Sequence, residues 1–254
     1  MLSLVLGEQA LAQSTTSLKK LSLDELMQVE VTSVSKRAEK LGSAPASIFV
    51  ISSEDIRRSG ASTLPEALRL APNLEVARMD AVQYAISARG FNNAIGNKLL
   101  VLIDGRTVYT PLFSGVFWDQ QEVMLEDIER IEVISGPGGT LWGANAVNGV
   151  INVITRNASE TGGALFVGDV GNNERGGSLR YGRGLDSGAF RIYGKFSNWD
   201  HTARADGGAV ADAWRRGQLG FRADWKAADG AFTLQGDAYE GHSQDRGSVG
   251  TLVI

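Results

Sequence analysis

The hydrophobic positions between residues 46 and 160 change period several times, and each change marks an element. Residues 46–51 (ASIFVI) form a short apolar, β-branched run that predicts a strand. Ser52-Ser53-Glu54-Asp55 follows as a capping box opening a short helix that stops at Gly60. Thr63-Leu64-Pro65-Glu66 repeats the start signal, with proline inside the first turn. Leu64, Ala67, Leu68 and Ala71 then share one apolar helix face, which Pro72-Asn73 ends. Residues 99–103 (LLVLI) are apolar throughout and predict a strand buried on both faces. Asp104-Gly105 is a tight-turn signal leading to Val108-Tyr109. Residues 125–130 predict one helical turn, and residues 130–134 (RIEVI) and 150–155 (VINVIT) two further strands. Together these elements describe a compact α+β domain.

After residue 162 the period settles to two. Phe190, Ile192 and Phe196 alternate with Arg191, Tyr193, Lys195 and Ser197. Leu219, Phe221, Ala223 and Trp225 alternate with Gln218, Gly220, Arg222, Asp224 and Lys226, and Phe232, Leu234 and Ala238 with Thr233, Gln235 and Asp237. Weaker versions occupy residues 165–171 and 178–183, and turns rich in Gly, Asn and Asp separate the runs. Runs of about eight to eleven residues, apolar on one face and charged on the other, suit strands crossing a bilayer around a polar lumen. A soluble β-sandwich with one wet face has the same alternation. Trp199, Trp214, Trp225 and Tyr239, near strand ends, favour the membrane barrel as interfacial girdles.

Composition sharpens the division. All 5 prolines precede residue 162, and 19 of the 31 glycines follow residue 161, as expected if one architecture gives way to another near Gly162-Gly163. There is no cysteine, hence no disulfide framework and no thiolate chemistry. The net charge of −4 argues against a general nucleic-acid binder. At the N-terminus, residues 1–6 are apolar and Ala10-Leu11-Ala12 precedes Gln13 as a small-x-small cleavage pattern. Residues 1–12 therefore read as the remnant of a secretory signal, the alternative being an ordinary unstructured terminus.

Site chemistry of the enzymatic kind is scarce. His201 and His242 stand far apart without metal-ligand spacing and read as surface histidines. The glycine-rich stretch 136–143 lacks the phosphate-loop lysine, since Ala144 follows Gly143, and reads as a turn between two strands. Glu122, Glu126, Asp127, Glu129 and Glu132 read as a solvated face with ion pairs to Arg130. Asn157-Ala158-Ser159 matches a glycosylation sequon, a weak three-residue signal. No catalytic residue, metal site or cofactor is expected, and the chain reads as a non-enzyme.

Four segments, taken in order, resemble the plug domain of TonB-dependent outer-membrane receptors of Gram-negative bacteria. They are ASIFVISSEDIRRSG with TLPEALRLAP (46–60 and 63–72), SARGF (87–91), LLVLIDGRTVYTP (99–111) and, the most specific, IERIEVISGPGGTLWGANAVNGVINVIT (128–155). The resemblance implies an α+β plug domain over residues 41–161, followed from 162 to 254 by the first strands of an antiparallel transmembrane β-barrel. That barrel has about 22 strands when complete. About five strands cannot close such a barrel, so the chain is expected to be part of a longer receptor.

The resemblance also implies a function: uptake of a scarce ligand such as a ferric siderophore, haem or cobalamin, driven by TonB with ExbB and ExbD of the inner membrane. A soluble periplasmic β-rich interaction module is the competing reading. Residues 13–40 become an extended segment carrying the TonB box, placed on Glu30, Val31, Thr32, Ser33 and Val34, whose β-branched alternation suits strand addition to a partner's sheet edge. The alternative is the plug's own first strand. Only 16 residues separate Gln13 from Val29, so no extra signalling domain is expected there. Ligand-contact candidates at the plug apex are Asp80, Gln83, Tyr84, Phe113, Phe117 and Trp118; the aromatics either line a ligand site or pack on the barrel wall. Ser135 stands where the family usually has arginine, which leaves Arg89, Arg130 and Glu132 as candidates for docking plug to barrel.

Overall fold

A computed structural model describes residues 30–31, 39–40, 47–90, 96, 98–110, 115–136, 138, 142–143, 145–227 and 230–244. Contacts group into two compact units. One comprises Gln9–Met79 with Gln83–Arg156; the other comprises Asn157–Ile254 with the three residues Asp80–Val82. The proposed signal remnant lies outside the described residues.

The first unit begins with a minimal antiparallel pair, β1 (Glu30–Val31) and β2 (Glu39–Lys40). The chain continues through β3 (Ser47–Ser52), α1 (Ser53–Ser59), α2 (Leu64–Leu68), β4 (Glu75–Arg78) and β5 (Tyr84–Ser87). It then forms β6 (Leu99–Ile103), β7 (Arg106–Thr107), β8 (Ile128–Ser135) and β9 (Gly149–Thr155). The main sheet has the order β3-β8-β9-β6-β7, with β6 parallel to β9 and the other neighbours antiparallel. The capping box is formed: the Asp55 amide donates to Ser52 Oγ at 3.1 Å, and the Ser52 amide returns a bond to the Asp55 carboxylate. Gly60 closes α1 in the left-handed region at φ 72°. Helix α2 is shorter than its apolar face suggests. The amides of Arg69, Leu70 and Ala71 bond three residues back rather than four, so the helix tightens and ends before Pro72.

The unbroken apolar run of β6 is explained by two cores. Leu99, Val101 and Ile103 join Ile56 of α1, Leu64 and Leu68 of α2, and Ile131 and Val153 of the sheet. Leu100 and Leu102 face the other way, with Ile134, Ala146, Val150 and the half-buried Trp142. The β6–β7 turn uses Asp104 and Gly105 at φ 49° and 79°, the twist a two-residue hairpin requires. The Asp104 carboxylate accepts from the Thr155 amide and hydroxyl, both at 2.8 Å, and so ties the turn to β9. The turn expected over residues 125–130 is a 3-10 turn, Leu125–Asp127, because β8 already starts at Ile128. The β4–β5 hairpin was not visible in the hydrophobic pattern: its outer strand alternates weakly and remains mostly exposed.

The second unit is an antiparallel meander: β10 (Gly163–Val170), β11 (Glu174–Leu185), β12 (Gly188–Trp199), β13 (Trp214–Ala227) and β14 (Gly230–Ser243). Four strands, β11 to β14, exceed the length read from the alternation, at 12 to 14 residues. The two faces are inverted relative to a water-soluble sheet. Phe166, Leu179, Ile192, Phe196, Leu219 and Leu234 are all more than half exposed. Ser178, Arg191, Ser197, Arg216, Gln218 and Asp224 are buried. A β-sandwich hides its apolar face, so this arrangement rejects the sandwich and fits a lipid-facing exterior around a polar interior.

One expectation is corrected here. Of the four aromatics read as girdle residues, only Trp225 shares the apolar face. Trp199 and Trp214 have the parity of the polar face, are buried, and stack with centroids 4.6 Å apart at 4°. Tyr239 also lies on the polar face, under the Arg216 guanidinium at 3.9 Å. The contact boundary falls at Arg156 and Asn157, five residues before the compositional one. The reason is local: Asn157 caps the 3-10 turn Ala158–Glu160, and the Ala158 amide donates to Asp224 Oδ2 of β13 at 2.7 Å. Asn157 Oδ1 is thereby engaged by Ser159 through its amide and hydroxyl.

Two predictions follow from local geometry. A Cβ on Gly149 would lie 2.3 Å from the Ile134 carbonyl oxygen, which is backbone of the neighbouring strand. Gly149→Ala should therefore destabilise the first unit by about 1–3 kcal/mol or more, read as a lower urea midpoint with unchanged m-value. Glu54 accepts from Arg57 at 2.7 and 2.8 Å and from Arg58, and these bonds hold its carboxyl down at about 2 against the ordinary 4.5. A lowered carboxyl stabilises the fold above the ordinary value, and this contribution is lost as pH falls through about 2. An NMR titration of the Glu54 carboxyl should show that low midpoint, and the Arg57→Ala/Arg58→Ala variant should return it toward 4.5.

Candidate functional site

Strand β8 carries the charged core of the first unit. Arg130 and Glu132 lie two residues apart on one face of it, and Arg130 Nε donates to Glu132 Oε1 at 2.8 Å. Glu132 is completely buried, while the Arg130 side chain retains 17% exposure and also pairs with Glu129. Asp127 is buried as well, so the carboxylate group read as a solvated face is partly interior. The sequence expectation made Arg130 and Glu132, with Arg89, candidates for docking plug to barrel. In the structure Arg130 and Glu132 neutralise each other inside their own sheet. Arg89 is exposed, sits at φ 59°, and has its guanidinium near Gly136. Ser135, in the place of the family's arginine, accepts through Oγ from Asn73 Nδ2 and so joins the end of β8 to the segment after α2.

The ligand-contact candidates separate into different environments. Tyr84 is buried in the core of the first unit and its hydroxyl donates to Glu66 Oε1 at 2.7 Å; burial and this bond push the phenol upward from its ordinary value. Of these aromatics Trp118 also packs in the core, while Phe117 is half-buried and keeps part of its surface. Phe113 lies outside the described residues. Gln83 is exposed, with its carbonyl accepting from the Met79 amide.

Asp80 belongs to the strand unit, in a cluster that sequence reasoning did not find. Asp80 Oδ1 accepts from the Val82 amide at 2.9 Å, and the Ala81 amide donates to Asp212 Oδ2 at 3.1 Å. Trp214 Nε1 donates to the Ala81 carbonyl at 3.3 Å, and Trp199 Nε1 to Glu174 Oε2 at 2.8 Å. The second carboxylate oxygen of Asp212 takes the Thr202 amide at 2.8 Å. The stacked tryptophans, Ala81 and Val82 form a small apolar cluster over these bonds. No periodicity marks Asp212 or the 200–213 loop, because the cluster is assembled from four sequence-distant segments.

At the N-terminal candidate, Val31 is fully buried and Glu30–Val31 pairs with Glu39–Lys40. Thr32, Ser33 and Val34 lie outside the described residues. Among the described residues, no three His, Asp or Glu side chains converge as a metal-binding group, and no helix is long and apolar enough to cross a membrane, which says nothing of a β-barrel.

An α+β unit with this sheet order, followed by an up-and-down meander with its apolar face outward, is the layout of a plugged outer-membrane barrel. Residues 40–150 match the family model described as the TonB-dependent Receptor Plug Domain. The chain is 34% identical over 137 residues to the Vitamin B12 transporter BtuB of Vibrio vulnificus (strain CMCP6), covering 53% of this chain and 22% of that protein. It is 36% identical over 160 residues to the Iron-regulated outer membrane virulence protein of Vibrio cholerae serotype O1 (strain ATCC 39315 / El Tor Inaba N16961), covering 61% and 23%. The solved structure of the pyoverdine outer membrane receptor FpvA from Pseudomonas aeruginosa PAO1 superposes with a TM-score of 0.68 at 16% identity, over 91% of this chain and 33% of that one. Residues 40–150 therefore carry the plug domain of the TonB-dependent receptors. The chain spans less than a quarter of the length of these two curated relatives.

The buried pair on β8 yields a prediction. Arg130→Met strips the partner from a carboxylate with no solvent exposure and should cost about 3–5 kcal/mol. The double variant Arg130→Met/Glu132→Met removes both charges and should recover most of that loss in the same urea unfolding measurement.

Proposed function

We propose that this chain serves TonB-dependent uptake of a scarce ligand across the outer membrane of a Gram-negative bacterium, with the plug held in the barrel lumen. The observation that carries the reading is the plug fold followed directly by strands that expose apolar side chains on one face and bury Arg191, Arg216 and Asp224 on the other. The ligand class is a cobalamin, a ferric siderophore or haem. The first two suit the relatives named for vitamin B12 transport and for pyoverdine reception, and an iron-regulated relative suits iron-bearing ligands in general. Nothing in the reading calls for catalysis: the receptor binds, and energy comes from TonB with ExbB and ExbD.

TonB engages Glu30–Val34 in this proposal, by strand addition. The present partner of Glu30–Val31 is a ladder of only two residue pairs. Releasing so short a pair to a partner's sheet edge exchanges one set of backbone bonds for another, and what it gives up besides is the burial of Val31. Of the apex candidates, Gln83 retains an exposed side chain and Phe117 a half-exposed one, so these are the ligand contacts we propose first.

The experiment is energised uptake by the complete receptor. Val31→Pro removes a ladder donor and should abolish uptake while leaving ligand binding at the cell surface intact. Glu39→Pro disturbs the same two-residue ladder from its other strand and should keep uptake. Equal loss in both variants would show a structural effect and reject the box assignment.

A further inference from the structure

The strand register lines up a row of polar residues on the face that should be purely apolar. Arg175 lies opposite Asn198, Asn198 opposite Arg215, and Arg215 opposite His242. Their parity is that of Leu179, Phe196 and Leu219, so the row stands on the outer wall and not on the polar face. Arg175, Arg215 and His242 are exposed. Neither arginine has an ion-pair partner among the described residues. One carboxylate, Glu240, stands nearby on the same face of β14, with Oε1 4.0 Å from His242 Nε2.

Below the row the wall is mostly apolar and notched, with Glu240 at its edge opposite Gly217. Two residues along, about 7 Å away, Phe196 is flanked by Gly177 and Gly217. Two residues further, Gly194 is flanked by Leu179 and Leu219. The missing side chains leave an open groove of about 870 Å³ among Phe166, Leu179, Phe196 and Leu219. The row lies at the end of the sheet where strands are joined by residues 171–173 and 200–213, opposite the two-residue turn at 186–187. In a membrane barrel the longer connections are extracellular.

We propose that this wall binds a phosphorylated lipid of the outer leaflet, with its phosphate on Arg175 and Arg215 and an acyl chain in the groove. Each half of the site lacks a purpose without the other. A free anion has no use for the groove, and a neutral lipid has none for two guanidiniums, whose donors match phosphate oxygens. Adjacent strands are about 4.8 Å apart, so the two arginines, two strands from one another, stand about 10 Å apart and converge on one headgroup. The inference rests on the barrel reading of β10–β14.

The test uses the complete receptor in dodecyl maltoside micelles, with native mass spectrometry against dioleoyl phosphatidic acid, dioleoylglycerol and inorganic phosphate. Heat-modifiable electrophoretic mobility reports that each variant is folded. Phosphatidic acid should bind in preference to dioleoylglycerol, and Arg175→Ala/Arg215→Ala should weaken it about thirty-fold, roughly a factor of five per arginine. Gly217→Leu extends into open space and fills the groove, so it should weaken phosphatidic acid about ten-fold, as loss of roughly two buried methylenes would. Equal binding of the neutral lipid, unchanged binding by the double arginine variant, or displacement by matching concentrations of inorganic phosphate would each overturn the proposal. Recovery of the receptor from cells without detergent would overturn the barrel reading instead, and is measured first by fractionation.

Discussion

The constraint on which the second unit depends is that a backbone in hydrocarbon has no water to pair with. Every N–H and C=O along such a strand must find a neighbouring strand. The meander β10–β14 meets this with long, uninterrupted ladders, twelve consecutive residue pairs between β11 and β12 and again between β12 and β13. Once the ladder is continuous, side chains must alternate strictly between its faces, because a slip of one residue would exchange the lipid-facing and lumen-facing sets. The exposed Phe166, Leu179, Ile192 and Leu219 and the buried Arg191, Arg216 and Asp224 are the two halves of that alternation.

The plug obeys the opposite rule, that of a water-soluble domain. Its sheet carries apolar layers on both faces, which is why β6 reads as a continuous run and the meander strands do not. A buried charge in such a domain survives only with a partner, and Glu132 has Arg130. The two units therefore differ in what they bury. Salt and acid act on the plug through surface groups such as Glu54, whereas register alone gathers the meander's buried charges, Arg191, Arg216 and Asp224, on one face.

Function follows the same division. The element proposed to meet the energy-transducing partner is the least committed strand pair, two residues long. The residues proposed to meet a ligand, Gln83 and Phe117, lie outside the core that holds Tyr84 and Trp118. The cluster of Asp212, Trp199, Trp214 and Ala81 shows how few residues suffice to fix a loop: two hydrogen bonds, beside one stacked pair, join segments more than 130 residues apart.

By itself the sequence determined nearly all of the secondary structure. The caps at Ser52 and Thr63, the turn at Asp104-Gly105 and the alternation in β12, β13 and β14 are local signals, set by backbone geometry and neighbours within a few residues. The plug motifs were legible for the same reason, since they are contiguous. What only the tertiary structure decided were the pairings across the chain. Arg130 turned inward to Glu132 because both lie on one face of a strand in the middle of a sheet. Trp199 and Trp214 turned from the wall to the polar face because their parity in the ladder places them there, whatever their preference for an interface. The row Arg175, Asn198, Arg215 and His242 exists only once four strands are in register, so no reading along the chain could have assembled it.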